Sequence, residues 1–186
     1  MKKKIVLIAM AVLVLALSVA VGTTVAWLMD TSETVENTFT IGDINIELSE
    51  TTGSDYKIVP GGKQAKDPTV TVKAKSEKCY VYVLIDNTVV LDGTAVAVPN
   101  ISDANWEKIG SSGTKTLYRY KSEVAYSDND QTIPVFTEVS YANTIEKGNI
   151  NDLTGKKITI TAYAHQAENI SSTDADTIIK NLVGIS

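Results

Sequence analysis

The stretch Lys157-Ile158-Thr159-Ile160-Thr161-Ala162-Tyr163-Ala164-His165 decides the fold class. Ile158, Ile160, Ala162 and Ala164 fall on one side of an extended chain, and Thr159, Thr161, Tyr163 and His165 on the other. A period of two over this length predicts a β-strand with one buried face. Cys79 to Ile85 is apolar at every position, which predicts a central strand covered on both faces. Further out, Val70, Val72 and Ala74 alternate with Thr71, Lys73 and Lys75. Ile44, Ile46 and Leu48 alternate with polar neighbours, and Phe39 and Ile41 do so out of phase across Gly42-Asp43, the mark of a bulge or tight bend. Trp106 and Ile109 precede Gly110-Ser111-Ser112-Gly113, read as a turn, after which Thr116 to Tyr126 resumes extended with Tyr118 and Tyr120 on one face. Ile133 to Val139 is a further candidate, which Pro134 places near an edge or a strand start.

β-rich segments separated by Gly, Pro, Asn and Asp clusters predict a mainly β chain, an antiparallel β-sandwich of jelly-roll type. One short C-terminal helix is expected. Ser172 or Thr173 would cap a segment from Asp174 to Val183, Gly184 would close it, and Ile178, Ile179, Leu182 and Val183 would supply its apolar face.

The N-terminus follows a different logic. Lys2, Lys3 and Lys4 precede an apolar run from Ile5 to Val21, broken only by Ser18, and small residues end in Thr24-Val25-Ala26. That order predicts a secretory signal peptide over residues 1–26, cut between Ala26 and Trp27. A retained membrane anchor is the alternative. The run Ile5 to Val21 would cover about 25 Å as a helix, short of a hydrocarbon core of about 30 Å. Extending it through Met29 would bring it to spanning length. Residues 1–26 hold no cysteine to acylate. The chain therefore divides into a signal peptide (1–26), an N-terminal arm (27–38) and a β-sandwich domain (39–186).

Residues 1–26 contain three of the 17 basic residues and none of the 22 acidic ones. The mature part thus carries a formal charge near −8, which argues against nucleic acid and anionic membrane surfaces as partners. The single cysteine, Cys79, rules out an internal disulfide; it reads as a small apolar strand residue, with an intermolecular bridge as the alternative. His165 is the only histidine, too few for a zinc site built from His and Cys. Pro60-Gly61-Gly62 reads as a turn, with no phosphate-loop context. Asp128-Asn129-Asp130 offers alternating oxygen donors but lacks the glycine and distant glutamate of a calcium loop. A solvated turn is expected there, and whether the cluster takes Ca²⁺ stays open. No catalytic constellation, metal site or cofactor is expected.

The junction Gly22-Thr23-Thr24-Val25-Ala26-Trp27-Leu28-Met29-Asp30-Thr31, followed by Asn37-Thr38-Phe39-Thr40-Ile41-Gly42-Asp43-Ile44-Asn45-Ile46, resembles the start of the TasA/camelysin family. These are secreted Gram-positive biofilm-matrix proteins whose signal peptides are cut by a SipW-type signal peptidase. Leu28-Met29 stands where the family usually has an aromatic, and Ile44 where leucine is common. Pro60-Gly61, Lys66-Asp67 before a strand, and the ITITAYAHQAE run from Ile158 look similar as well. The resemblance implies a jelly-roll β-sandwich that assembles into extracellular fibres. The family also carries a metallopeptidase label. Metal-assisted hydrolysis needs clustered ligands and a general base, and the sequence shows no such motif.

The expected function is a non-enzymatic structural subunit of an extracellular fibre or biofilm matrix, located in the matrix or at the cell surface. Its partners would be further copies of itself and sister subunits, with a SipW-type peptidase for processing and membrane contact only before cleavage. A monomeric adhesin or ligand-binding sandwich is the first alternative, and a camelysin-like peptidase the second. The arm suits donor-strand addition, in which one subunit completes the sheet of the next. Residues 27–38 contain no Pro or Gly, and Trp27, Met29, Thr31, Glu33 and Val35 project to one side of an extended chain. At ~3.3 Å per residue the arm reaches about 40 Å. The alternative for the arm is a disordered tail.

Overall fold

The computed structural model describes residues 43–52 and 58–185. The expected signal peptide, the arm and the Phe39–Ile41 segment lie outside them. Within them the chain forms twelve strands and a C-terminal helix. In order these are β1 (Ile46–Ser49), β2 (Lys63–Ala65), β3 (Thr69–Val72), β4 (Cys79–Asn87), β5 (Val90–Leu91), β6 (Thr94–Ala95), β7 (Ala97–Pro99), β8 (Trp106–Ser112), β9 (Lys115–Tyr120), β10 (Gln131–Pro134), β11 (Glu138–Tyr141) and β12 (Ile158–Gln166). A 3-10 turn at Ile150–Leu153 precedes β12, and helix α1 (Ser172–Val183) ends the chain.

Every strand pairing is antiparallel. The largest sheet runs β12-β4-β9-β8, and two three-stranded sheets run β1-β3-β10 and β2-β11-β7. A β5-β6 pair completes the set. The fold is thus mainly antiparallel β with one short C-terminal helix, as the alternating segments predict.

Strand β4 explains the arrangement. Its residues from Cys79 to Ile85 are all buried, and alternate side chains leave a strand on opposite faces. Cys79, Val81, Val83 and Ile85 enter one core with Val70 and Val72 of β3, Ile133 of β10 and Val139 of β11. Tyr80, Tyr82 and Leu84 enter a second core with Leu117, Ala175 and Ile179, under α1. Trp106 ties the largest sheet to β10: it is fully buried, donates from Nε1 to the Pro134 carbonyl at 3.0 Å, and meets the Tyr120 ring edge-on at 5.5 Å.

Three segments differ from the alternation-based expectation. Gly110, Ser111 and Ser112 belong to β8, and the reversal comes at Gly113, where φ is 58°. Gly110 serves packing, since a Cβ there would lie 2.7 Å from Ile185 Cγ2. The extended run after the turn ends at Tyr120, short of Tyr126. The Ile133–Val139 candidate splits: Gln131–Pro134 joins one sheet and Glu138–Tyr141 another, while Val135 and Phe136 between them are buried.

The helix begins at Ser172, two residues before the expected Asp174, because Ser171 rather than Ser172 or Thr173 caps it by accepting from Asp174 N at 3.1 Å. Gly184 ends it in the left-handed region at φ 72°, as expected. Its buried face is Ala175 and Ile179, whereas Ile178 and Leu182 are 46% and 66% exposed. The orientation follows from polar anchors. Asp176 accepts from the Tyr82 hydroxyl at 3.1 Å and pairs with Arg119 Nη1 at 2.9 Å, and those bonds turn Ile178 and Leu182 outward.

The start of β1 is fastened to the β3–β4 connection. Asn45 N donates to Ser76 Oγ at 3.1 Å, Ser76 Oγ donates to Asn45 O at 3.2 Å, and Glu77 N donates to Asp43 O at 2.9 Å. Ser76 itself is buried.

Because Trp106 bridges two sheets, Trp106→Ala should cost about 3–5 kcal/mol of stability. Chemical denaturation monitored by circular dichroism measures it; a loss under about 1 kcal/mol would mean the bridge carries little.

Candidate functional site

Sheet edges are where a β protein either protects its unpaired backbone or uses it. Most edges here are blunted. Strand β10 ends at Pro134 and β7 at Pro99. Strand β2 has three residues, and its Lys63 is paired with Glu138 at 2.6 Å. Strand β8 carries Glu107 and Lys108 and a bulge between Lys108 and Gly110. Strand β12 has none of these devices: nine residues, ITITAYAHQ, without proline, acidic residue or lysine.

The ladder shows which of its backbone groups are open. Thr88 N donates to Lys157 O at 3.0 Å and Ala167 N to Lys78 O at 2.8 Å. Hydrogen-bonded positions alternate along an antiparallel pair, so Thr159, Thr161, Tyr163 and His165 bond to β4. The N–H and C=O groups of Ile158, Ile160, Ala162 and Ala164 point away from it. The same reading applies to β1. Lys73 N donates to Asn45 O at 2.9 Å, so Glu47 and Ser49 bond to β3, and Ile46 and Leu48 turn their backbone groups outward. Strands β1 and β12 approach within 8 Å between Cα atoms, yet no ladder joins them.

Where these edges diverge, a cleft of about 440 Å³ opens, lined by Ile58, Val89, Ala97, Val139, Tyr141 and Ile158 with Glu50, Lys156 and Lys157. A second cleft of about 290 Å³ continues past Leu48, Phe136 and Ile160 and shares Glu50, Val139 and Ile158 with the first. Strand β11 supplies the floor, and the ends of β1 and β12 supply the walls. The site is apolar below, and the strand backbone at its sides has no ladder partner among the described residues.

Two consecutive residues hold the β1 wall. Buried Lys66 pairs with Glu50 at 3.2 Å. Asp67 accepts from Thr51 N and Thr52 N, each at 3.0 Å, and from the hydroxyls of Thr51 and Thr52. These bonds, the Thr51 hydroxyl foremost, hold the Asp67 carboxyl down at about 2. Only ionised carboxylate accepts all of them, so the clasp is intact at neutral pH.

The other chemistry-bearing residues are engaged in structure. Cys79 is fully buried, and burial pushes its thiol up to about 11. It is therefore protonated at neutral pH and out of reach of a second chain in the native fold. Register places His165 opposite Tyr80 and Gln166 opposite Cys79, so the Cys79 and His165 side chains leave on opposite faces and form no dyad. His165 Nδ1 lies 2.8 Å from the Gln166 carbonyl. In the Asp128-Asn129-Asp130 turn, Asp130 accepts from Ala74 N at 2.8 Å and pairs with Lys73 at 3.4 Å, while Asp128 accepts from the Tyr126 hydroxyl at 3.4 Å. Among the described residues no group of three or more His, Cys, Asp or Glu could hold a metal ion.

Of the residues singled out in the sequence, Ala26, Trp27, Met29, Thr31, Glu33 and Val35 lie outside the described residues. The cleft residues escaped the sequence reading because they come from chain segments far apart. Compared with protein-family models, curated proteins and solved structures, the chain gives no match.

The parity of β12 makes a sharp contrast between neighbouring positions. Ala162→Pro removes only an outward N–H, which an edge strand tolerates, and should leave the fold intact. Thr161→Pro removes the N–H bonded to Leu84 and should cost about 1–3 kcal/mol for the orphaned carbonyl. Denaturation midpoints of the two variants check the assignment, and equal losses would refute it.

Proposed function

We propose that this chain is a secreted, non-enzymatic structural subunit that polymerises by strand addition into an extracellular fibre or matrix. The observation that carries the reading is the long, unblunted edge of β12, set beside the open edge of β1 over an apolar floor. An edge strand of nine residues with high β propensity and no proline, acidic residue or lysine invites pairing with another chain. A strand added there finds backbone partners on its sides and apolar contacts beneath it.

The finer architecture belongs to the same proposal. The β12-β4-β9-β8 sheet and the two three-stranded sheets contribute to one core, which supports reading them as layers of a jelly-roll-like β-sandwich. The resemblance of residues 22–46 to the TasA/camelysin family supports export, cleavage after Ala26 and matrix assembly. The arm, residues 27–38, is the proposed donor strand, with Trp27, Met29, Thr31, Glu33 and Val35 directed at the acceptor. Cleavage would then license assembly, because the arm is tethered to the membrane until the signal is cut.

A second reading is a monomeric binding domain, favoured by the 440 Å³ cleft, whose lining joins apolar side chains to Glu50, Lys156 and Lys157, a size ordinary for small ligands.

Two measurements separate these readings. N-terminal sequencing of the exported protein should begin at Trp27 or within about two residues of it; an intact Met1 in the membrane fraction would overturn the processing step. A chain beginning at Phe39 should stay folded by circular dichroism yet form no fibres in electron micrographs. Normal fibres from it would remove the arm as donor. Failure to fold would assign the arm to its own subunit.

A further inference from the structure

We propose that Lys156 and Lys157 select the strand that enters the cleft, and that the occupant is the acidic segment 27–42 of a second copy of this chain. The inference rests on the strand-addition reading and adds the charge code by which arm and acceptor recognise each other.

Residues 27–42 contain Asp30, Glu33 and Glu36 and no basic residue. Three residues apart, consecutive carboxylates alternate sides of an extended chain, with Asp30 and Glu36 on one side and Glu33 on the other, so the middle of the segment carries negative charge on both sides. Lys156 and Lys157 are exposed at the cleft, and among the described residues neither is in an ion pair. The carboxylate lining the cleft beside them, Glu50, is paired with Lys66. The cleft therefore presents two positive charges that no described residue pairs, on a chain whose formal net charge is −5, and every charged residue of the segment that would fill it is acidic.

Geometry favours a second copy over the same chain. A subunit's own arm joins β1 ahead of Ile46, at the end clasped by Ser76. The cleft opens at the other end of the strand, by Leu48, Ser49 and Glu50. Asp43 and Glu50 are about 23 Å apart along an extended chain, so a subunit's own arm enters only by reversing direction, as a tight bend at Gly42-Asp43 would require. An arm from another subunit enters without reversal. Exposed ion pairs add little stability; their effect falls on encounter rate and partner choice, and it fades with salt.

The test uses the full mature chain in four forms: wild type, Lys156→Glu/Lys157→Glu, Asp30→Lys/Glu33→Lys/Glu36→Lys, and all five changes together. Polymerisation is followed by light scattering at low salt. Each charge-reversed variant alone should polymerise at least about 10-fold more slowly than wild type, because like charges now face each other. The five-fold variant should regain the wild-type rate. An equimolar mixture of the two slow variants should also regain it, since each supplies the arm that the other's cleft accepts. That recovery requires arms to act between subunits. In 0.5 M salt, with screening over only a few ångström, the differences should shrink. Near-UV circular dichroism confirms that each variant is folded; should the lysine reversal unfold, Lys156→Gln/Lys157→Gln should slow assembly by a smaller factor.

Wild-type rates in the lysine-reversed variant, or no recovery in the mixture, would overturn the proposal while leaving strand addition standing. A wild-type mature chain that never polymerises would overturn strand addition itself, and this inference with it.

Discussion

A strand buried on both faces cannot exist alone: it requires a layer on each side. Strand β4 imposes that constraint through seven successive buried residues. One face is met by strands of the neighbouring sheets and the other by α1. Trp106, the Asp176–Arg119–Tyr82 contacts and the glycine at 110 are the means by which those layers are held close. Removing water from a whole strand is the dominant stabilising term available to a domain with one cysteine and no disulfide.

The same arrangement creates the site. Strand β4 sits between β12 and β9, so among the described residues β12 is paired on one side only. Its side chains still alternate correctly, with Ile158, Ile160, Ala162 and Ala164 packed on the core. What lacks a ladder partner among the described residues is directional backbone, which an added strand can pair along the whole length. An apolar small molecule could cover the floor of the cleft but not the row of N–H and C=O groups beside it. That difference is why the proposed occupant is a chain rather than a small molecule.

Much of the fold was legible in the sequence, for definite reasons. Strand β12 shows a period of two, β4 shows an unbroken apolar run, and α1 has a capping serine ahead of it and a glycine behind. Each of those signals is local. The misread segments are those where a distant partner decides. Gly110 resembles turn chemistry, but its missing side chain makes room for Ile185. Ile133 to Val139 resembles one strand, but the chain changes sheets at buried Phe136. Ile178 and Leu182 resemble a helix core face, but Asp176 orients the helix from across the sheet. The cleft was illegible for the same reason. Its walls come from residues 48–50, 136–141 and 156–160, and nothing in any one segment announces the other two.

The clasp made by Ser76 has a consequence for shape at larger scale. It fixes Asp43, Asn45 and the start of β1 to the β3–β4 connection, so the chain that precedes them departs from a defined point on a rigid body. In the polymer proposed above, the fixed end of each arm would rest on a hydroxyl that donates to one backbone carbonyl and accepts from the amide of the same residue.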